Sequence, residues 1–186
     1  MPKSVIISGP PAIGKTTIAK GLAKEFGLKY LSGGDVLKKL AEEEGFHTEG
    51  DDWWDRPDGM KFLNQRKTNP EFDKKVDDKL KELFFKGSVV ITSYTLPWLV
   101  EDGIKIWLAG SHENSAKRMT TRDNLSQEDA LKIVKTRYDE NKMIYKKLYG
   151  FDFGENLSVF DEIINTDSLG ADEVLAIAKS VVRKLL

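Results

Sequence analysis

The sequence predicts an α/β fold, a five-stranded parallel sheet with helices on both faces, and three observations carry that prediction. Short apolar, β-branched runs alternate with longer helical patterns in βαβα order. Gly27 and Gly87 stand where helices should stop ahead of the next strand. The first apolar run, Ser4-Val5-Ile6-Ile7-Ser8, leads through a glycine-bounded loop straight into a helical segment.

In chain order, strands are expected at Lys3–Ser8, Lys29–Leu31, Ser88–Thr92, Ile104–Leu108 and Asp161–Asn165, each a short β-branched or apolar run. Helices are expected to begin near Thr16, Asp35, Pro57, Pro70, Glu113, Ser126 and Ala171. The segment from Asp35 carries Val36, Leu37 and Leu40 at helical spacing, and Asp35 itself suits a helix cap. Ser126-Gln127-Glu128-Asp129 is a capping signal ahead of Ala130, Leu131, Ile133 and Val134. Two stretches exceed a minimal α/β sandwich. Gly45–Asn69 contains the acidic and aromatic Asp51-Asp52-Trp53-Trp54-Asp55, and Thr120–Tyr149 reads as a polar helical hairpin. Both fall above the carboxyl edge of the sheet, where open α/β sheets bind ligands.

The chain has 186 residues, enough for one domain with a full core. Its net charge of −1 gives no electrostatic footprint for nucleic acid or an anionic membrane. There is no cysteine, which excludes disulfides and thiolate metal sites, and the two histidines, His47 and His112, are far apart. No basic-then-apolar leader opens the sequence and no apolar run has bilayer length, so a cytoplasmic protein is expected. No long apolar heptad is evident, and a monomer is expected.

Residues Gly9-Pro10-Pro11-Ala12-Ile13-Gly14-Lys15-Thr16 spell G-x-x-x-x-G-K-T, a phosphate-binding P-loop between strand and helix. Its glycines let backbone N–H groups turn inward, Lys15 reaches toward β- and γ-phosphates, and the Thr16 hydroxyl suits Mg²⁺. The helix start, with Thr17, adds its positive dipole end. ATP and Mg²⁺ are the expected cofactors.

Ser32-Gly33-Gly34-Asp35-Val36-Leu37-Lys38 resembles the S-x-G-D-x-L-R segment of nucleoside monophosphate kinases. Lys146-Lys147-Leu148-Tyr149-Gly150-Phe151-Asp152, Leu157-Ser158-Val159-Phe160-Asp161 and Ile164-Asn165-Thr166 look like the archaeal type of cytidylate kinase, as does Asn69-Pro70-Glu71-Phe72-Asp73. The resemblance covers nearly the whole chain. It implies a P-loop kinase fold with a core at 1–34, 87–117 and 150–186, an acceptor-binding region at about 35–86 and a short lid at about 118–149. It implies transfer from ATP to a nucleoside monophosphate such as CMP or dCMP.

Phosphoryl transfer rests on positioning and charge neutralisation, so the lid should supply cations. Arg118 and Arg122 lie i,i+4 on one helix face, and Arg137 follows on the next helix. Solvated surface arginines are the bland alternative. Asp35 suits a water of the Mg²⁺ shell, since the third strand ends Val90-Ile91-Thr92-Ser93 without a carboxylate.

The acceptor side departs from the family. Where an E-G-R-like turn is expected the chain reads Thr92-Ser93-Tyr94-Thr95-Leu96-Pro97-Trp98, the arginine after the second strand is Lys38, an expected basic pair reads Asp78-Lys79, and a further arginine position is Ile144. Tyr94, Trp98, Trp53 and Trp54 are candidates for an aromatic platform under a flat ring, with Arg56, Lys61, Arg66 and Lys67 supplying charge. Trp98 and Leu99 equally suit core positions. Ser32, Gly34, Asp35, Lys38 and Arg56 complete the acceptor candidates. Two rival readings stand beside the leading one. A kinase acting on a neutral alcohol, of shikimate- or nucleoside-kinase type, would use Ser93, Tyr94 and Thr95 as hydrogen-bonding groups. An adenylate kinase-like assembly ATPase would hydrolyse slowly without an acceptor.

Overall fold

Alternation within the first strand sets the architecture. In β1 (Val5–Ser8), Val5 and Ile7 point to one face of the sheet and Ile6 to the other, and all three are fully buried. A strand buried on both faces needs helices on both sides, which is why it reads as a continuous apolar run. The computed structural model describes residues 4–48, 59, 61–62, 64–65, 69 and 71–186, with the side chain of Arg122 outside the description.

The remaining strands are β2 (Lys29–Ser32), β3 (Val89–Thr92), β4 (Ile104–Ala109) and β5 (Glu162–Asn165). All pair in parallel in the order β2-β3-β1-β4-β5, with Val5 opposite both Val90 and Ile104. Lys29 pairs with Val89 and Ile106 with Glu162 at the flanks. Seven helices surround the sheet among the described residues: α1 (Lys15–Phe26), α2 (Gly33–Glu43), α3 (Glu71–Phe85), α4 (Leu96–Leu99), α5 (His112–Asp123), α6 (Gln127–Tyr149) and α7 (Ala171–Leu185).

On one face α1 and α7 lay Ile18, Leu22, Val174 and Val182 over Val5, Ile7, Ile106 and Leu108. On the other, Leu37 and Ala41 of α2 and Val76, Leu80 and Phe84 of α3 cover Ile6, Val89 and Ile91. Burying each such side chain contributes roughly 1.5–3 kcal/mol. Phe62 joins this second core between Phe46 and Phe72, with ring centroids 5.3 and 5.1 Å away. Helices α5 and α6 form a hairpin closed by Ala116, Met119, Ala130 and Val134.

The five expected strands and six of the expected helix starts occur within two residues of their places. The start expected near Pro57 falls largely outside the described residues. The second helix begins at Gly33, because Ser32 and not Asp35 is its cap: the Ser32 Oγ accepts from the Asp35 amide at 2.9 Å. Asp35 therefore occupies the third helical position. The Ser126 cap is made as expected, its Oγ accepting from the Asp129 amide at 3.1 Å. Helix α4 was hidden within a turn. It forms because the Ser93 Oγ accepts from the amides of Thr95 and Leu96, while Pro97 occupies an early helical position that needs no donor. Among the described residues no helix is long and apolar enough to cross a membrane.

Candidate active site

The carboxyl ends of β1, β2 and β3 open into a cleft of about 1040 Å³. Its walls come from the loop before α1, the first turns of α2, one face of α3 and the α5–α6 hairpin. The strand order divides it. The β2–β3 side is bounded by α2 and α3, and the α5–α6 hairpin reaches over the side toward β4.

The loop owes its shape to left-handed backbone. Gly9 has φ 147°, and a Cβ there would lie 2.4 Å from the Leu108 carbonyl oxygen, so only glycine fits between β1 and β4. Ala12 at φ 57° and Gly14 at φ 100° complete the turn, Gly14 serving as the cap of α1. Alternation of left- and right-handed residues directs successive N–H groups inward, which makes an anion-binding concavity. Pro11 through Thr17 line the cleft, whereas Gly9 and Pro10 shape the loop from behind and contribute carbonyls.

Those carbonyls hold Lys15. Its ammonium donates to Gly9 O at 2.8 Å and to Pro10 O at 2.5 Å, and lies 4.5 Å from the centroid of the Tyr94 ring. Burial pulls its pKa below the usual lysine range, Tyr94 opposes that shift and the charge of Arg137 adds to it. A cation so desolvated, beside a second cation, gains from an arriving polyanion.

Thr16 and Thr17 are exposed at the start of α1 and line the cleft. Asp35 is exposed one turn into α2, with Lys38 a turn further along the same wall, and Ser32 and Gly34 line the cleft beside them. Arg118 on α5 and Arg137 on α6 both line it from the hairpin. Arg118 Nη2 donates to Thr166 O at 3.1 Å, and its buried Nη1 has no partner among the described residues. Arg122 lies one turn beyond Arg118 on α5, and its side chain is outside the described residues. Among the described residues no cluster of three His, Cys, Asp or Glu could hold a metal by itself. One hydroxyl and one carboxylate facing a phosphate site suit Mg²⁺, which takes few protein oxygens and completes its shell with phosphate and water.

Of the aromatic candidates, Tyr94 lines the cleft and Trp98 does not. Trp98 stacks on Phe151 at 4.6 Å and 5°, meets Phe160 at 5.2 Å, and donates from Nε1 to Asn156 O at 3.3 Å. It joins α4 to the segment before β5, and the core alternative describes its place. Trp53, Trp54 and Arg56 lie outside the described residues.

Besides Thr95, the β2–β3 side is lined by residues that the sequence alone did not single out as site residues, Asp73 and Asp77, with Asn141 and Tyr145 reaching in from α6. Asp77 is 4% exposed. The Thr95 hydroxyl donates to its Oδ1, and the Tyr149 hydroxyl donates to its Oδ2 at 2.6 Å. Burial pushes the Asp77 carboxyl up to about 6, and the two hydroxyls only partly counter this. Burial, and after it the same carboxylate, raises the Tyr149 phenol well above its usual range. A signal existed in the sequence. Asp73 and Asp77 share the α3 face with Val76, Leu80 and Phe84, which is the core-facing stripe.

The solved structures that share this architecture include shikimate kinase from Acinetobacter baumannii, with a TM-score of 0.59, 17% identity and coverage of 100% of this chain and 96% of that one. An uncharacterised protein from Eubacterium ventriosum gives a TM-score of 0.66 at 16% identity, covering 99% of both chains. Likeness at that identity speaks to the fold. Sequence relatives speak to the family. Cytidylate kinase from Ignicoccus hospitalis is 34% identical over 184 residues, 98% of each chain, and that from Pyrococcus horikoshii is 32% identical over 189 residues, covering 100% of this chain and 92% of the relative. The family profile described as "Cytidylate kinase-like family" matches residues 4–168, from the first strand to just past the last. With its phosphate loop, divided cleft and near full-length relatives, the chain belongs to the cytidylate kinase-like family.

Proposed function

We propose that this protein transfers the γ-phosphoryl group of ATP to the phosphate of CMP or dCMP, giving ADP and the nucleoside diphosphate. The observation that carries the reading is the near full-length match to cytidylate kinases, joined to a cleft that runs from the phosphate loop across the ends of β2 and β3. An oxygen of the acceptor phosphate attacks the γ-phosphorus as the bond to the β–γ bridging oxygen breaks.

Within the loop from Gly9 to Thr17, the backbone N–H groups from Ala12 onward wrap the donor phosphates, while Gly9, Pro10 and Pro11 shape the turn. Lys15 leaves its carbonyl partners for the β- and γ-oxygens. Arg118, Arg122 and Arg137 neutralise charge that spreads over the transferring group. Thr16 and Asp35 are the residues to hold Mg²⁺, which neutralises phosphate charge and orients the donor when bound. Lys38, with Ser32, Gly34 and Tyr94, receives the acceptor phosphate, and Trp53, Trp54 and Arg56 belong to the same acceptor region at about 35–86. The lid spans about 118–149, and the core is the remainder. We assign a monomer working in the cytoplasm.

The neutral-alcohol reading loses ground on one observation. The Ser93 hydroxyl serves the α4 amides and the Thr95 hydroxyl serves Asp77, so neither is held ready for an alcohol. An assembly ATPase would hydrolyse ATP slowly whether or not an acceptor is present.

A coupled assay with ATP, Mg²⁺ and all common nucleoside monophosphates tests the reading. CMP and dCMP are expected to give the highest kcat/KM. If ATP binds but no monophosphate is phosphorylated, the reading fails. Lys38→Ala is expected to raise the acceptor KM by about tenfold or more, the cost of one charge-assisted hydrogen bond, with the ATP KM unchanged. Trp53→Ala or Trp54→Ala should change acceptor preference and leave ATP affinity as it was. An effect on ATP alone would remove these tryptophans from the acceptor region.

A further inference from the structure

Asp77 poses a question that the transfer mechanism leaves unanswered. A carboxylate buried to 4% exposure is costly unless something needs it, and both of its protein donors are neutral hydroxyls. Among the described residues no cation forms an ion pair with it. It lines the cleft on the β2–β3 side, across from the phosphate loop and its cations. An ionised carboxylate has about four lone-pair sites, and Thr95 and Tyr149 fill one on each oxygen. Among the described residues nothing else donates to it, which leaves the rest for a donor that enters the cleft.

From this we infer that Asp77 is the specificity-determining residue of the acceptor pocket, accepting a hydrogen bond from the exocyclic amino group of an aminopyrimidine and rejecting the keto oxygen that uracil presents at the same position. The inference rests on the kinase reading given above and names which end of the acceptor lies where. The acceptor phosphate is drawn to Lys15, Lys38 and Arg137 and repelled by Asp77, so the base lies at the α3 end. Thr95 and Tyr149 act as positioning residues. Two hydroxyls donating from different elements, the turn after β3 and the last residue of α6, hold the carboxylate in place at the cleft wall. The amino group then finds an acceptor already held there. A keto group in that place sets oxygen against oxygen, which is how a polar pocket rejects a near-isostere far better than an apolar one.

Steady-state kinetics with CMP and UMP on the parent protein, Asp77→Asn and Tyr149→Phe test this, with the ATP KM as internal control. The parent should favour CMP over UMP by at least about 100-fold in kcat/KM. In Asp77→Asn the carboxamide offers an acceptor and a donor side by side and suits either base, so the ratio should fall to within about tenfold of one at unchanged ATP KM. Tyr149→Phe keeps the ring and its stacking on Phe151 and removes only the donor. It should reduce the ratio several-fold through the CMP KM, a readout that a purely structural bond would not move. A parent enzyme equally active on both bases overturns the inference and leaves the kinase reading standing, as does an Asp77→Asn protein that melts cooperatively and keeps the parental ratio. A parent inactive on every monophosphate overturns both.

Discussion

Lys15→Ala is expected to abolish measurable transfer, with kcat/KM falling by about a thousandfold or more. Oriented charge at the transferring group is most of what a protein supplies to phosphoryl transfer, and loss of one preorganised stabiliser costs about a hundred- to a thousandfold. Lys15 sits in the loop itself, gripped by Gly9 O and Pro10 O and covered by the Tyr94 ring. Lys15→Arg should fare little better, since a planar fork does not fit the space of a compact ammonium between two carbonyls and a ring. The fold itself should be indifferent. An ammonium whose pKa burial has lowered is a group the free protein holds at a cost, so the variant should melt no earlier than the parent. Single-turnover transfer, ATP titration by calorimetry and a thermal melt would check all three parts. Transfer within tenfold of the parent would contradict the placement of this residue.

Asp77→Asn is expected to stabilise the free protein near neutral pH and to do so in a pH-dependent way. The carboxyl rises from the ordinary 3.8 to about 6 in the fold, so the ionised form is disfavoured there. A raised folded value means that Asp77 contributes most favourably below pH 3.8, and that contribution is lost as pH climbs through about 6. The groups that face it are Thr95, Tyr149, Asp73 and Lys81, of which Asp73 pushes the value up and Lys81 down. At about 1.4 kcal/mol per unit, the ionised side chain costs about 3 kcal/mol at pH 8. The carboxamide keeps the shape and removes the charge. A gain of about 2–3 kcal/mol at pH 8, seen as several degrees in the melting temperature, should shrink to about 1 kcal/mol by pH 4.5 and vanish below the ordinary 3.8. An increment that is the same at both pH values, or a loss at both, would refute this. Should the same substitution also level the preference between CMP and UMP, stability will have been surrendered at that position for discrimination.

The scaffold was legible because its signals are local. The Val5-Ile6-Ile7 run, the Ser126 cap and the glycine-bounded loop each state their conformation within a few residues, and all five strands fall where those signals put them. Helix α4 was less legible, since the Ser93 hydroxyl that starts it looks like any serine in a turn. The cleft divides the same way. Lys15, Thr16, Asp35, Lys38, Arg118 and Arg137 line it and carry recognisable spacing. Asp77 depends on partners from distant segments, Thr95 and Tyr149, and nothing within α3 announces them. Trp98 illustrates the converse. An aromatic residue near a sheet edge suits a ligand platform or a packing role equally, and only the Phe151 and Phe160 rings decide between them.

The place of β1 at the middle of the sheet has a consequence for biosynthesis. Its neighbours on either side, β3 and β4, are made much later, so Val5 meets Val90 and then Ile104 only after about half the polypeptide has left the ribosome. Until then the apolar Val5-Ile6-Ile7 stretch is without its sheet partners, and Gly9 lacks the Leu108 carbonyl it must nestle against. Closing such long loops is slow, and the waiting segment is the kind that aggregates or is shielded by chaperones. Nascent chains stalled short of β4 should therefore fail to retain nucleotide, and release beyond it should bring folding and ligand capture together.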